Sequence, residues 1–287
     1  MRDKFKHTLF TLQRHTDEIR AYERQDLFDF KDKKIIQVED KVLTFSFGET
    51  VNVESFSNIL DKNNIKKATH KSLEEPLMNF TLANHNNKDV YLVGGTPNKT
   101  DPSAKSCYTF NIQECNDPEK AWRRQPDMNF GRCMSATVIL QEKLFAISGF
   151  DNRNTCQTAE FLDLSKPEEE RAWELIVIAT NEGFTFRQSV MAAPISKTEI
   201  LIAGGLSTKS GGYDDAWIYD IERKVAIREE SKNRGTQFIT HSPTIVTNEG
   251  EIASLVQIMR PQEQRGLQII KADKYLNVKK VDKSFPL

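Results

Sequence analysis

Short apolar runs that end in glycine recur along the chain and predict its strands. The three clearest runs are Val90–Gly95, Leu144–Gly149 and Ile200–Gly205. They are mainly apolar at consecutive positions instead of alternate ones, which indicates strands that are buried on both faces. The glycines Gly94, Gly149 and Gly204 follow one another at intervals of 55 residues. A fixed period of this length predicts a repeat architecture.

Other residue types keep a similar period. An arginine lies 17 residues before the glycine in two units, as Arg132 and Arg187, and Trp122 and Trp173 are 51 residues apart. A strand-like segment with an aromatic residue follows each run, and these aromatic residues are Tyr108, Phe161 and Tyr219. Turn-forming residues separate the segments, so each unit is predicted to hold four short strands. Radially stacked sheets cover one another on both faces, which explains the apolar runs.

This order of arginine, apolar strand, glycine pair, aromatic residue and tryptophan resembles the kelch repeat. The resemblance is clearest over residues 77–225 and implies an all-β fold, a kelch-like β-propeller with four-stranded antiparallel blades. The chain has 287 residues, which hold nearly six periods of about 50, so six blades are favoured and five remain possible. The ring is expected to close by pairing of N-terminal with C-terminal strands.

The whole chain, residues 1–287, is predicted to be a single propeller. Five blades are expected at 34–76, 77–130, 131–182, 183–232 and 233–287. Residues 1–33 have two interpretations, a partial closing blade or a short helix. The helix is suggested by apolar residues at heptad-like spacing, namely Phe5, Leu9, Leu12, Ile19 and Tyr22.

Most of the repeated residues are expected to have structural roles. Glycine tolerates a positive φ and the close approach of another chain segment, which predicts a backbone role for Gly94, Gly95, Gly149, Gly204 and Gly205. The tryptophans Trp122 and Trp173 are expected to fill the gaps between blades, where truncation typically costs about 3–5 kcal/mol. Tyr108, Phe161 and Tyr219 are expected to pack in the same way.

Arg132 and Arg187 have two interpretations. Each could form an ion pair or a hydrogen bond within its own blade. Alternatively, each could bind a partner, because kelch propellers of ubiquitin-ligase adaptors recognise acidic peptides with arginines at the channel rim, and arginine suits bidentate carboxylate contacts. Under the second interpretation, loop residues would add further anchors of the types enriched at binding hot spots, and the predicted partner-binding residues are Arg132, Arg187, Phe130, Phe186 and Gln188.

Composition narrows the function classes. The chain has 40 Lys and Arg against 41 Asp and Glu, a formal charge of −1, so we expect neither nucleic acid nor a membrane as the partner. The first 30 residues lack the apolar core of a secretory signal, which predicts a cytoplasmic protein. The five histidines are scattered and the four cysteines form no Cys-x-x-Cys pair, so we expect no metal and no cofactor.

We therefore expect a non-catalytic scaffold that binds a protein or peptide partner through loops on one propeller face, in a ubiquitin-ligase or cytoskeletal assembly. The resemblance also implies an alternative, a sugar-binding enzyme of the kelch-type sialic acid isomerase class. Its polar cavity would be formed by Arg132, Arg187, Gln188 and Gln237. Such bacterial proteins are usually exported, whereas no export signal is visible in this chain, and no catalytic residue is predicted.

Overall fold

The computed structural model consists of β-strands joined by turns. It describes residues 8–13, 18–23, 33–58, 64–117, 119–180, 183–207, 211–229, 238–240, 244–246, 252–258, 266–272 and 278–286. Within these ranges there is no α-helix, and one short 3₁₀ turn occurs at Glu168–Glu170. The chain divides into two compact units. The first unit comprises residues 32–177 and 186–188, and the second comprises residues 1–31, 178–185 and 189–287.

The N-terminal segment is a hairpin, which favours the strand interpretation over the helix. Strand β1 (Thr8–Gln13) runs antiparallel to β2 (Glu18–Glu23). Leu9 pairs with Tyr22 and Leu12 pairs with Ile19 across the hairpin. Four of the five residues with helix-like spacing are therefore cross-strand partners, while Phe5 lies outside the described residues.

The first unit contains three four-stranded antiparallel sheets. Sheet I consists of β3 (Lys33–Val38), β4 (Lys41–Ser46), β5 (Asn52–Ser57) and β6 (Lys66–Thr69). Sheet II consists of β7 (Thr81–His85), β8 (Asp89–Val93), β9 (Cys107–Asn111) and β10 (Trp122–Gln125). Sheet III consists of β11 (Ala136–Leu140), β12 (Lys143–Ile147), β13 (Ala159–Asp163) and β14 (Trp173–Ile176). In each sheet the strands lie in chain order, so every connection is a simple hairpin.

The first strands of these three sheets are neighbours. Strand β7 contacts both β3 and β11. The side-chain amide of Asn84 on β7 donates a hydrogen bond to the carbonyl of Gln37 on β3 (3.0 Å), and the hydroxyls of Thr81 and Thr137 join β7 to β11. The second strand of each sheet is almost fully buried. Sheet II shares one core with sheet I and another with sheet III, so apolar side chains cover both faces of β8.

Besides β1 and β2, the second unit contains two larger sheets and a small hairpin. Sheet IV consists of β15 (Ala179–Thr180), β16 (Met191–Pro194), β17 (Glu199–Ala203), β20 (Ala216–Asp220) and β21 (Val225–Glu229), with β15 parallel to β21. The hairpin pairs β18 (Leu206–Ser207) with β19 (Gly211–Gly212). Sheet V consists of β22 (Phe238–Thr240), β23 (Ile245–Val246), β24 (Ile252–Ile258), β25 (Gly266–Ala272) and β26 (Val278–Pro286). Met191, Leu201 and Ile252 share one core.

Residues 179–180 fall in the predicted interval 131–182, but they pair with β21 of sheet IV. Among the described strands, β1 and β2 pair with each other and β26 pairs with β25, so closure of a ring by N-terminal and C-terminal strands stays a prediction.

Candidate binding face

The glycine turns of the first unit rest on the backbone of the two arginines. Gly95 N–H donates to the carbonyl of Arg132 (2.9 Å), and Gly149 N–H donates to the carbonyl of Arg187 (3.1 Å). A Cβ added to Gly94 would lie 2.0 Å from the Arg132 carbonyl oxygen, and Gly94 has a φ of +63°. Glycine is required there because the following segment passes too close for any side chain.

The side chain of Arg132 is fully buried in an ion pair within sheet III. One guanidinium nitrogen donates to the carbonyls of Ser148 (2.8 Å) and Thr158 (2.9 Å). The other donates to the Thr158 hydroxyl (3.0 Å) and to the Glu160 carboxylate (2.5 Å), while Nε has no acceptor in the described part of the chain. We therefore correct the expectation that Arg132 contacts a partner, because a buried and paired guanidinium does not reach the surface.

Arg187 is also fully buried, so its guanidinium is not presented at the surface either. Its backbone is held by Ser148, whose hydroxyl accepts from Arg187 N–H and donates to the Arg187 carbonyl. Phe186 and Gln188 are half-buried. The sugar cavity expected from Arg132, Arg187 and Gln188 thus lacks exposed arginines, and Gln237 lies outside the described residues.

The buried carboxylate of Glu160 also holds the loop that precedes β11. It accepts hydrogen bonds from the backbone N–H of Asn129 (2.7 Å) and of Phe130 (3.1 Å). The Asn129 side-chain amide donates to Glu160 (2.9 Å) and to the carbonyl of Trp173 (2.9 Å). Glu160 was not among the residues predicted from the sequence. Its one signal was a carboxylate that lies between the apolar residues Ala159 and Phe161.

In two other sheets, the third strand also contacts the segment that leads into its own sheet, but it does so with a different type of side chain. The positions that correspond to Glu160 in strand register are Tyr108 in β9 and Trp217 in β20. The hydroxyl of Tyr108 donates to Glu75, in the segment before β7. The ring of Trp217 meets Phe184 edge-on at 5.5 Å, in the segment before β16. In sheets II, III and IV, the third strand of the repeat therefore anchors the segment that leads into its own sheet.

The three repeated aromatic residues are not equivalent. Tyr108 pairs with Leu92, Phe161 with Phe145, and Tyr219 with Ile200, which are three different register positions. Tyr108 and Tyr219 are buried, whereas Phe161 is half-exposed with the Lys143 ammonium 5.2 Å from its ring centre. Burial raises the pKa of Tyr219 to about 12.

Trp122 and Trp173 each lie between two neighbouring sheets. Trp122 of sheet II donates its indole N–H to the carbonyl of Lys71 (2.7 Å) and packs edge-on against Phe45 of sheet I (6.3 Å). Trp173 of sheet III donates to the carbonyl of Pro126 (2.9 Å) and packs in a core shared with sheet II. These paired N–H groups let the large rings fill the space between sheets without an unsatisfied donor.

An exposed apolar patch lies beside the loop that Glu160 holds. Phe130 is 47% exposed, Leu175 53% and Val177 77%. Leu175 on β14 is the cross-strand partner of Glu160, whose carboxylate contacts Phe130 N–H. We call Phe130, Leu175 and Val177 the apolar patch. Single exposed apolar residues are common, whereas large contiguous apolar patches are typical of interaction sites.

A serine–histidine pair joins sheets I and II. Ser55 Oγ and His70 Nε2 are 2.7 Å apart, the backbone of Cys115 forms a further hydrogen bond with His70, and the His70 ring packs against Phe110. Burial, followed by the charge of Lys41, lowers the pKa of His70. Ser55 is buried within the strand, so this pair acts as a structural link between the sheets.

The described ranges contain few other groups that could bind a metal or react. No group of three potential metal ligands occurs there. All four cysteines are buried thiols, and burial raises the pKa of Cys156 to about 11. No helix in the described ranges has the length and apolar content needed to cross a membrane.

No protein-family model matches the chain, and no curated protein matches it either.

Proposed function

We propose that this chain is a non-catalytic protein-interaction module built as a kelch-type β-propeller. Three consecutive antiparallel sheets whose first strands are neighbours support the propeller, as do the glycine turns that rest on the next sheet. A structure of the chain from electron cryomicroscopy tests this architecture. Sheets I to V arranged around one axis would agree with it, and an open stack would contradict it.

The observation that carries the proposed function is the combination of a fixed loop and an exposed aromatic ring. Glu160 holds the backbone of Asn129 and Phe130, while the Phe130 ring stays 47% exposed. A side chain on a loop that is already ordered loses little conformational entropy on binding. Exposed aromatic residues on rigid loops are typical binding hot spots. Phe130 is therefore the proposed anchor for a partner protein.

Co-purification of partners with the intact chain tests this function. We expect Phe130→Asp to lose proteins that the wild-type chain retains, because the charge disrupts an apolar contact. Ile227→Asp is the matched control, since Ile227 is 60% exposed on β21, and this variant should keep the same proteins. The free energy of unfolding of both variants should lie within about 0.5 kcal/mol of the wild-type value, as expected for surface substitutions. An unchanged set of partners for Phe130→Asp would contradict the proposal.

A further inference from the structure

We propose that the outer edge of β14 receives an extended, basic segment of a partner protein as an additional β-strand. This inference rests on the proposed function and specifies the partner at the same face. The edge of a sheet presents unpaired backbone N–H and C=O groups, which are a template for strand addition. In the described part of the chain, β13 is the one strand that pairs with β14, which forms the edge of sheet III. The Trp173 carbonyl at the start of β14 accepts a hydrogen bond from the Asn129 amide, so the proposed site is the part of the edge from Glu174 onward.

The composition of β14 distinguishes it from the other outer strands. Strand β6 is exposed along its length and carries Lys66 and Lys67, and β10 carries Arg123 and Arg124. Strand β21 is covered by β15. Charged side chains and covering segments are the usual protection against unwanted strand pairing. Strand β14 carries one exposed charged residue, Glu174, but it also exposes Leu175, and the exposed Val177 directly follows the strand.

The register places these apolar side chains next to the fixed loop. Leu175 pairs with Glu160, so both side chains lie on the same face of sheet III, and Val177 follows directly after the end of β14. Glu160 contacts the backbone of Phe130. An added strand with apolar residues at alternate positions could therefore cover Leu175 and Val177 while its end reaches the Phe130 ring.

The exposed charges beside β14 favour a basic partner. Glu168, Glu169, Glu170 and Glu174 are exposed. Glu168 pairs with Arg123 (3.3 Å) and Arg171 (3.8 Å), and Glu174 pairs with the half-exposed Lys166 (3.3 Å). Glu169 and Glu170 therefore carry the negative charge that no cation balances in the described part of the chain. Arg171 is mostly buried. A second copy of the chain would bring the same excess of negative charge. A strand of four residues also buries far less than the ~1,200 Å² of a stable dimer.

Fluorescence anisotropy with synthetic peptides tests this proposal on the intact chain. The probe is a capped, labelled hexapeptide that alternates lysine and valine. We expect it to bind at least tenfold more tightly than the same peptide with glutamate in place of lysine. A version methylated on alternate backbone nitrogens keeps its side chains but lacks strand hydrogen bonds, and it should bind at least tenfold more weakly. Equal binding of the three peptides would overturn the proposal.

Substitutions in β14 provide the second arm. Leu175→Lys combined with Val177→Lys should reduce binding of the lysine–valine peptide at least tenfold, because it gives β14 the protection seen in β6. Val177→Lys alone serves if the double variant does not fold. Ile227→Lys is the control and should bind as wild type does. Unchanged binding by the Val177 variants would overturn the inference, as would a dimer in light scattering that these changes dissociate.

The two proposals can fail separately. If Phe130→Asp loses co-purified partners while the β14 variants keep both peptide binding and partners, the strand-addition proposal is overturned and the interaction module stands. If the peptides bind as expected but Phe130→Asp retains every partner, the edge site stands and the proposed role of Phe130 is wrong.

Discussion

Arg132 and Glu160 form a buried ion pair that orders a surface loop. Burying two charges requires their removal from water, and the attraction between them compensates only when further hydrogen bonds satisfy both groups. Here the guanidinium makes three additional hydrogen bonds, and the carboxylate accepts three from Asn129 and Phe130. The pair therefore joins the interior of sheet III to the position of the exposed Phe130 ring.

Glu160→Gln should destabilise the chain strongly and release the loop. The substitution leaves the Arg132 charge buried without its counter-ion, which typically costs about 3–5 kcal/mol. Chemical denaturation measures the loss of stability, and hydrogen exchange should show faster exchange at Asn129 and Phe130. The control is Glu174→Gln, which removes an exposed ion pair with Lys166 and should cost at most about 1 kcal/mol. Equal effects of the two substitutions would contradict this role for the buried pair.

His70 should make stability depend on pH in the acidic range. Because its pKa is lowered in the folded chain, the unfolded chain binds more protons as the pH falls below the unfolded pKa of about 6.5. The contribution of His70 is present above that pH and is lost as the pH falls through the folded pKa. Thermal melting between pH 7 and pH 5 should show a smaller decrease for His70→Gln than for wild type. A decrease of the same size would exclude this role.

At the scale of elements, the recurring unit is a sheet joined to the next by a glycine turn. The turn after the second strand contacts the residue that leads into the following sheet, as Gly95 does with Arg132 and Gly149 with Arg187. The tryptophan at the start of the fourth strand packs back against the preceding sheet. Within the first unit, the glycine turn and the tryptophan together therefore set the position of a sheet relative to the neighbouring sheets.

Gly94→Ala should destabilise the chain more than Gly183→Ala. Both glycines have a positive φ, +63° and +76°, so both substitutions introduce similar backbone strain, about 1–2 kcal/mol. A Cβ at Gly183 meets nothing within 4 Å, whereas at Gly94 it overlaps the Arg132 carbonyl. Overpacking of this kind adds roughly 1–3 kcal/mol. Denaturation midpoints compare the two variants directly, and equal midpoints would show that the close approach is unimportant.

The sequence predicted elements better than tertiary interactions. The consecutive apolar positions and the glycine period indicated the second strands and their turns, because both depend on local pattern and backbone conformation. The burial of Arg132 was not predictable, since its partner Glu160 lies 28 residues away in another strand. The residue that holds the loop could not be predicted either, because Glu160, Tyr108 and Trp217 occupy equivalent positions but have unrelated side chains. The repeat in the sequence predicts the same position for Phe161 as for Tyr108 and Tyr219. The structure places the three at different positions, because the register of a strand depends on its pairing partner, which the sequence does not show.

At the scale of the whole molecule, the proposed function depends on a stiff scaffold with one apolar patch. Charged and polar residues cover most exposed positions, and Phe130, Leu175 and Val177 are three of the four exposed large apolar residues in the described ranges. The buried arginines remove the reason to expect an acidic partner. The glutamates beside β14 are the reason for proposing a basic partner instead.

Site-specific photo-crosslinking tests the proposed partner-binding face most directly. A benzoylphenylalanine side chain at position 130 would replace the Phe130 ring, and the same group at position 227 on β21 would serve as the control. We expect discrete protein adducts at position 130 that a competing lysine–valine peptide reduces, and no such adducts at position 227. Absence of adducts at position 130, or the same adducts at both positions, would contradict a partner-binding face at the apolar patch.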